Sequence, residues 1–186
     1  MGYFALISSL PMLTLDGTNA ITAEQFLSCC ETYVTEKELR ILQELKFPPS
    51  PEDFEPSTFA GRYAAWECAL RNAVVRIRAT KTGRSAGKYL NPEGGIEADA
   101  ERAVSAAWAV GNPLERERIL DQARWMKLEE LESGTLFSFE QLCAYKLKLL
   151  LQKKWNDRSE KQAAYNLEAS IDAVLNSIET NTKQEI

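Results

Sequence analysis

The residues best equipped for chemistry are four cysteines, Cys29, Cys30, Cys68 and Cys143. A thiol attacks substrates or binds zinc only as its thiolate, in a setting that favours the charged form. None of the four sits in a CxxC pair and no partner ligands lie nearby, so their spacing argues against zinc. The adjacent Cys29 and Cys30 leave two readings open. One is a redox-active or nucleophilic pair. The other, favoured here, is small apolar residues on buried helices in a reducing compartment. Thr82-Gly83-Arg84-Ser85-Ala86-Gly87-Lys88 has the composition of a phosphate-binding loop. Its glycines are separated by three residues instead of four, Tyr89 stands where Ser or Thr is needed, and a long helix precedes it in place of a strand. It therefore reads as a basic loop, with contact to an acidic partner as the alternative. The carboxylate pairs Glu115/Glu117 and Glu129/Glu130 are one or two residues apart, which on a helix points them in different directions. The chain contains no histidine, which excludes His-based triads, His metal sites and imidazole proton shuttles. No catalytic residue, metal site or cofactor site is assigned, and the expectation is a protein that is not an enzyme. Trp66, Trp108, Trp125 and Trp155 are expected mainly in the core. Trp155, at the basic end of its helix, is the best candidate for a surface anchor in an interface.

The elements that carry these residues read as helices. Thr22 with Gln25 and Thr35 with Glu38 are capping boxes opening short helices at roughly 23–33 and 36–46. Phe47-Pro-Pro-Ser-Pro stops the second. A longer helix runs from Ser57 or Thr58 to about Thr80, with Phe59, Tyr63, Trp66, Leu70, Ala73 and Ile77 as one apolar seam. Arg71 and Arg78 share its flank. After a loop from Thr82 to Gly95, a helix is expected at 97–110, ended by Gly111. Asn112-Pro113-Leu114-Glu115 then opens a helix to about Glu132, with Asn as cap, Pro in the first turn and Glu closing the box. Its apolar residues fall on two sides, Ile119, Ala123 and Met126 against Leu114, Trp125 and Leu128. That predicts a helix sandwiched between neighbours.

Ser138 with Gln141 caps a helix at about 139–155, the most apolar and so the expected centre of the bundle, with Lys146, Lys148, Lys153 and Lys154 on its edges and end. A last helix is expected at about 158–179, with a seam of Ala164, Leu167, Ile171, Val174 and Ile178 and a frayed tail over 180–186. Residues 3–10 fit a short helix ended near Pro11. The expectation is an all-α, multi-helix bundle of about seven to eight helices in a single domain over 1–186, with a possible sub-boundary in the loop 82–96.

Length and charge agree. The chain has 186 residues, 45% apolar and 26% charged, with a net charge of −5. That is enough chain to bury a core without disulfides or metal, and the acidic balance argues against a dedicated nucleic-acid binder. No apolar stretch is long enough to span a bilayer, and the opening residues lack the basic region and cleavage pattern of a secretory signal. Charge alternates along the chain. Residues 16–55 hold nine acids and three bases, 57–91 seven bases and one acid, and 92–140 eleven acids and five bases. Two readings stand, complementarity between packed helices and a basic docking strip for an acidic partner.

Tyr3-Phe4-Ala5-Leu6-Ile7-Ser8-Ser9-Leu10-Pro11, followed by Thr22-x-x-Gln25-Phe26-Leu27, resembles the opening of a family of small bacterial proteins encoded with V/A-type rotary ATPases. Further similarity lies in Tyr63-x-x-Trp66-x-x-x-Leu70-Arg71-Asn72 with Arg76-x-Arg78-Ala79. It continues in Asn112 to Glu117, Ala123-Arg124-Trp125, Phe139 and Ala144 to Leu149, so that most of residues 1–155 is covered. The family also looks like a shortened ATPase C (d) subunit, the helical funnel that couples the central shaft to the membrane rotor ring. The resemblance implies part of that funnel and a noncatalytic connector or accessory role in a proton- or sodium-translocating ATPase. It also implies partners in the shaft and rotor ring, and a cytoplasmic site held peripherally at the inner membrane through the complex, with no direct membrane insertion and no nucleic acid. On that reading Arg71, Arg78, Arg84 and Lys88 are the first candidates for a partner-facing basic strip, although Arg71, flanking an apolar seam, equally suits an intramolecular salt bridge. A free-standing helical adaptor or regulatory protein-binding module is the alternative.

Overall fold

The computed structural model of the protein describes residues 2–18 and 20–158. Among them are seven α-helices and no strand: α1 (Gly2–Ser9), α2 (Ala23–Cys30), α3 (Glu36–Glu44), α4 (Phe59–Thr82), α5 (Ala98–Ala109), α6 (Pro113–Glu132) and α7 over residues 139–158. The expected last helix and tail lie outside the described residues. No described helix is long and apolar enough to cross a membrane.

Local chemistry sets the ends of these helices. Thr22 and Thr35 each accept a hydrogen bond from the backbone amide three residues on, and Gln25 and Glu38 return it to the cap amide, so both boxes close. Thr58 caps α4 through Gly61 N, and Gly83, in the left-handed region at φ 65°, ends it. Glycine adopts that conformation without steric cost. The α6 cap is simpler than expected. Asn112 Oδ1 accepts from Leu114 N at 2.9 Å, and Glu115 does not complete a box. The α7 cap is also displaced. Gln141 N donates to Ser138 Oγ at 3.4 Å, but the Gln141 side chain accepts from Phe137 N instead of Ser138 N. α7 runs unbroken past the expected end at 155. Nothing in Trp155-Asn156-Asp157 breaks a helix, and Lys153 pairs with Asp157 one turn on at 3.0 Å.

The α4 seam is buried from Phe59 to Ala73, with Ile77 packed at its margin. α4, α5 and α6 pack on one another. One core cluster joins them to Leu6 of α1, Phe26 of α2, Leu42 of α3 and Leu142, Leu147 and Leu149 of α7, so it includes residues on both sides of the loop 83–97. Gly94 brings that loop against α4. A Cβ there would lie 2.5 Å from Asn72 Nδ2 and 2.9 Å from the Cys68 backbone, while Asn72 bonds Asn91 and Gly94.

α7 is central, as its composition implies, but its lysines are not all at the edges. Lys146 and Lys148 are only 5% and 8% exposed. Neighbours surround the middle of α7 so fully that Lys146, Lys148 and Gln152 are covered, while Lys153 stays exposed. On α6 both apolar sides are used in part. Ile119 and Ala123 of one pack against the core and Trp125 and Leu128 of the other are buried, whereas Met126 and Leu114 are exposed. Asp121 is buried among them and anchors a charge network.

Candidate functional site

That network begins at Glu67, fully buried in the middle of α4. Its position, four after Tyr63 and three before Leu70, sets it beside the seam. Arg124 of α6 grips it with two bonds, Nε to Oε2 at 2.9 Å and Nη2 to Oε1 at 3.0 Å, the paired geometry that makes Arg–carboxylate contacts strong. Arg71, one turn along α4, adds a bond to Oε1 at 3.2 Å. Arg124 also donates to Asp121 Oδ1 at 2.7 Å. The other Asp121 oxygen accepts from two consecutive α7 residues, Lys154 Nζ at 2.7 Å and Trp155 Nε1 at 3.0 Å. Lys154 reaches Glu117 as well. Burial works against the Arg124 cation, but the charges and bonds of Glu67 and Asp121 outweigh it and hold the guanidinium above its ordinary pKa. Burial likewise opposes ionisation of Glu117, and the Lys154 bond and charge outweigh it, leaving that carboxyl below its ordinary value.

The remaining tryptophans sit in similar clamps. Trp66 Nε1 donates to Asp99 at 2.9 Å, with Lys127 over the ring. Trp125 Nε1 donates to Glu129 at 2.8 Å, with Lys148 over the ring and bonded to Glu132 at 2.7 Å. Trp108 lies under both Arg116 and Arg78, and Arg116 also bonds the carbonyls of Ala107 and Val110 near the end of α5. Trp66 is locked between helices by a carboxylate on its N–H and a cation on its ring, whereas Trp125 and Trp108 are tied across helices by the cations on their rings.

The residues singled out from sequence fall in different places. Arg71 is half-exposed, bonded to Glu67 and at the edge of a cleft described below. Arg78 and Arg84 come together around a shallow pocket with Tyr89, whereas Lys88 lies on the neighbouring exposed turn. Trp155 is partly buried and tied to Asp121. The charge alternation resolves into two parts. Arg62 pairs with Glu140 at 3.5 Å and Arg76 with Glu101, joining the basic block to the acidic one. Arg84 and Lys88 have no ion pair among the described residues, and Arg78 has only its ring contact. Sequence reasoning missed Glu67, Asp121 and Arg124. The one available signal was a single acid in a block of seven bases, placed beside an apolar seam.

The expectation of buried thiols holds for Cys30, Cys68 and Cys143 but not for Cys29, which is exposed because it falls on the outer side of α2, off the line of the buried Phe26 and Cys30. Burial pushes the Cys30 and Cys143 thiols up to about 12, far from the thiolate a nucleophile needs. No group of three or more His, Cys, Asp or Glu side chains is arranged to hold a metal among the described residues.

A cleft of about 760 Å³ opens beside the network, bounded by α2, the α3–α4 connection, α4, α6 and α7. No family model, no curated protein and no solved structure matches the chain.

Proposed function

We propose that the chain is a noncatalytic subunit or accessory protein of a V/A-type proton- or sodium-translocating ATPase, held peripherally at the cytoplasmic face through the complex. The sequence resemblance is the basis of this reading. One observation supports it above others. Residues of the stretches that carry the resemblance bond or pack across helices. Some do so with one another: Tyr145 of α7 bonds Pro11 O at 2.8 Å, and Lys148 of α7 covers Trp125 of α6. Others reach residues outside the pattern: Tyr3 of α1 bonds Glu38 of α3, and Arg124 of α6 grips Glu67 of α4. A shared pattern of this sort preserves how helices are held together, which is what a load-bearing connector requires. The described helices close around α7 instead of leaving a central opening, which departs from the funnel that the resemblance implies and weighs against the C-subunit likeness. The proposed part is therefore a solid coupling piece that grips its neighbours by outer surfaces. The exposed face with Arg78, Arg84 and Lys88 supplies a basic surface for an acidic neighbour.

Affinity purification of the tagged chain from solubilised membranes tests this. Recovery of the ATPase shaft or rotor subunits is the expected result. Recovery of other proteins and no ATPase subunit would transfer the chain to the adaptor class.

A further inference from the structure

We propose that the cleft beside α7 is a binding site for an organic phosphate ester, with Lys146 holding the anionic head and the Leu45-Lys46-Phe47-Pro48 wall holding an apolar body. The inference does not depend on the ATPase reading. Lys146 carries it. This residue is 5% exposed and lines the cleft, and its ammonium makes no hydrogen bond or ion pair among the described residues. The other inward lysines of α7 differ. Lys148 ends on Glu132 and Lys154 on Asp121, at 2.7 Å each. A lysine that only supports the fold finishes on a carboxylate in this way, whereas Lys146, buried along its stem, presents an unpaired ammonium to the cleft. Burial lowers the Lys146 pKa, with Glu24 and the Cys30 thiol of α2 acting weakly in the other direction. Glu24 itself is exposed at the rim.

Charge and size narrow the ligand. Six cations and four carboxylates line the cleft, an excess of two positive charges. Arg124 and Lys154 are already engaged by the buried network, and Arg71 is bonded to Glu67. Lys46, on the opposite wall, has no ion partner among the described residues. Asp121, behind the lining, answers Arg124 and Lys154 and takes up one of those charges, so the cations without an ion partner among the described residues are Lys146 and Lys46; a phosphate monoester, at about −1.5 to −2 charges at neutral pH, can engage both. The volume, about 760 Å³, lies in the range of small-molecule sites and far exceeds a bare phosphate ion. Leu45, Phe47, Pro48 and Leu150 give the same cleft an apolar side, so the ligand is amphiphilic, with a ring or chain attached to the phosphate. The α7 positions 146, 150, 153, 154 and 157 recur on one helical face, which sets cations and Leu150 along one wall.

Phenyl phosphate is a suitable probe, with phenol and inorganic phosphate as the separating arms. Calorimetry on the full chain is expected to show phenyl phosphate binding more tightly than inorganic phosphate, and phenol not at all. In an amide NMR titration the shifts are expected at Ala23, Phe47, Lys146 and Leu150. Lys146→Met is expected to weaken binding about ten-fold or more while raising Tm, because it removes an unpaired and partly desolvated charge. A purely structural lysine would lower Tm when replaced. Glu24→Gln, which removes a carboxylate acting on Lys146, is expected to tighten binding about two-fold. If Lys146→Met does not fold, the titration of the unaltered protein decides. Shifts confined to other surfaces, equal affinity for inorganic and phenyl phosphate, or unchanged affinity in a folded Lys146→Met variant would overturn the proposal. So would an oligoglutamate peptide that shifts the cleft amides where phenyl phosphate does not, since the cleft would then serve an acidic protein segment.

Discussion

Arg124 satisfies two buried carboxylates at once, Glu67 and Asp121. Replacing it with Met fills similar space but leaves Glu67 only the half-exposed Arg71 and takes from Asp121 one of its three donors, and breaking a buried pair from one side typically costs about 3–5 kcal/mol. Urea denaturation of Arg124→Met is expected to show a loss of that order. Arg71→Met, at the half-exposed side of the same carboxylate, is expected to lose less than about 1 kcal/mol. Thiol accessibility gives a second check at this scale. Native protein treated with iodoacetamide near neutral pH is expected to label at Cys29 only, while Cys30 and Cys143 react after unfolding. Fast labelling of Cys30 in the native state would reopen the nucleophile reading. Sequence made the bland reading of Cys30 accessible, because the residue lies one turn after Phe26 on a capped helix. It gave no comparable access to Glu67 or Asp121. A charged residue beside an apolar seam is ordinarily solvated, and only the arrival of Arg124 and Lys154 from distant helices makes burial tolerable.

The helices themselves were largely legible, since caps and period-3.6 seams are local signals. Both capping boxes and the α4 seam are examples. The differences arose where a tertiary partner decided the outcome. Met126 belongs to an apolar side by spacing, yet α6 turns Asp121 inward because α7 presents Lys154 and Trp155 to it. The end of α7 was misplaced because Trp155 looked like an exposed terminus when it is a bonded member of the last described turn. Two substitutions probe the element ends and approaches. Asn112→Ala removes the one side-chain bond that opens α6 and is expected to cost about 1 kcal/mol in chemical denaturation. Gly94→Ala forces the loop 83–97 off α4, since its new Cβ would meet the Cys68 backbone at 2.9 Å. It is expected to cost about 1–3 kcal/mol and to expose Cys68 to thiol reagents.

For the molecule as a whole, pH reports how many protons folding rearranges. Glu117, Asp99 and Glu38 all titrate below their ordinary values of 4.5, 3.8 and 4.5 in the native protein. For each, burial is the largest effect and opposes the shift, while bonded partners overcome it. Their stabilisation is complete above those ordinary values and is lost as pH falls through the lower native ones. On the alkaline side Cys30 and Cys143 rise from 9.0, and Tyr3 and Tyr145 from 10.0, to about 12, chiefly through burial. The unfolded chain releases these four protons first, so stability falls as pH climbs from 9 towards 12. Lys146 works the other way, because its native form gives up a proton before the unfolded one does. Thermal unfolding followed by circular dichroism is expected to show a plateau at neutral pH with losses on both flanks, and Lys146→Met is expected to raise the plateau itself. The bond of Lys154 and Trp155 to one Asp121 carboxylate oxygen has a mechanical consequence. Sliding α7 by one turn so that Leu150 and Leu151 replace Lys154 and Trp155 would carry both donors about 5.4 Å away and leave the oxygen facing apolar side chains. Such a contact acts as a detent: under shear the two helices stay seated until they release together, so displacement is stepwise and never gradual.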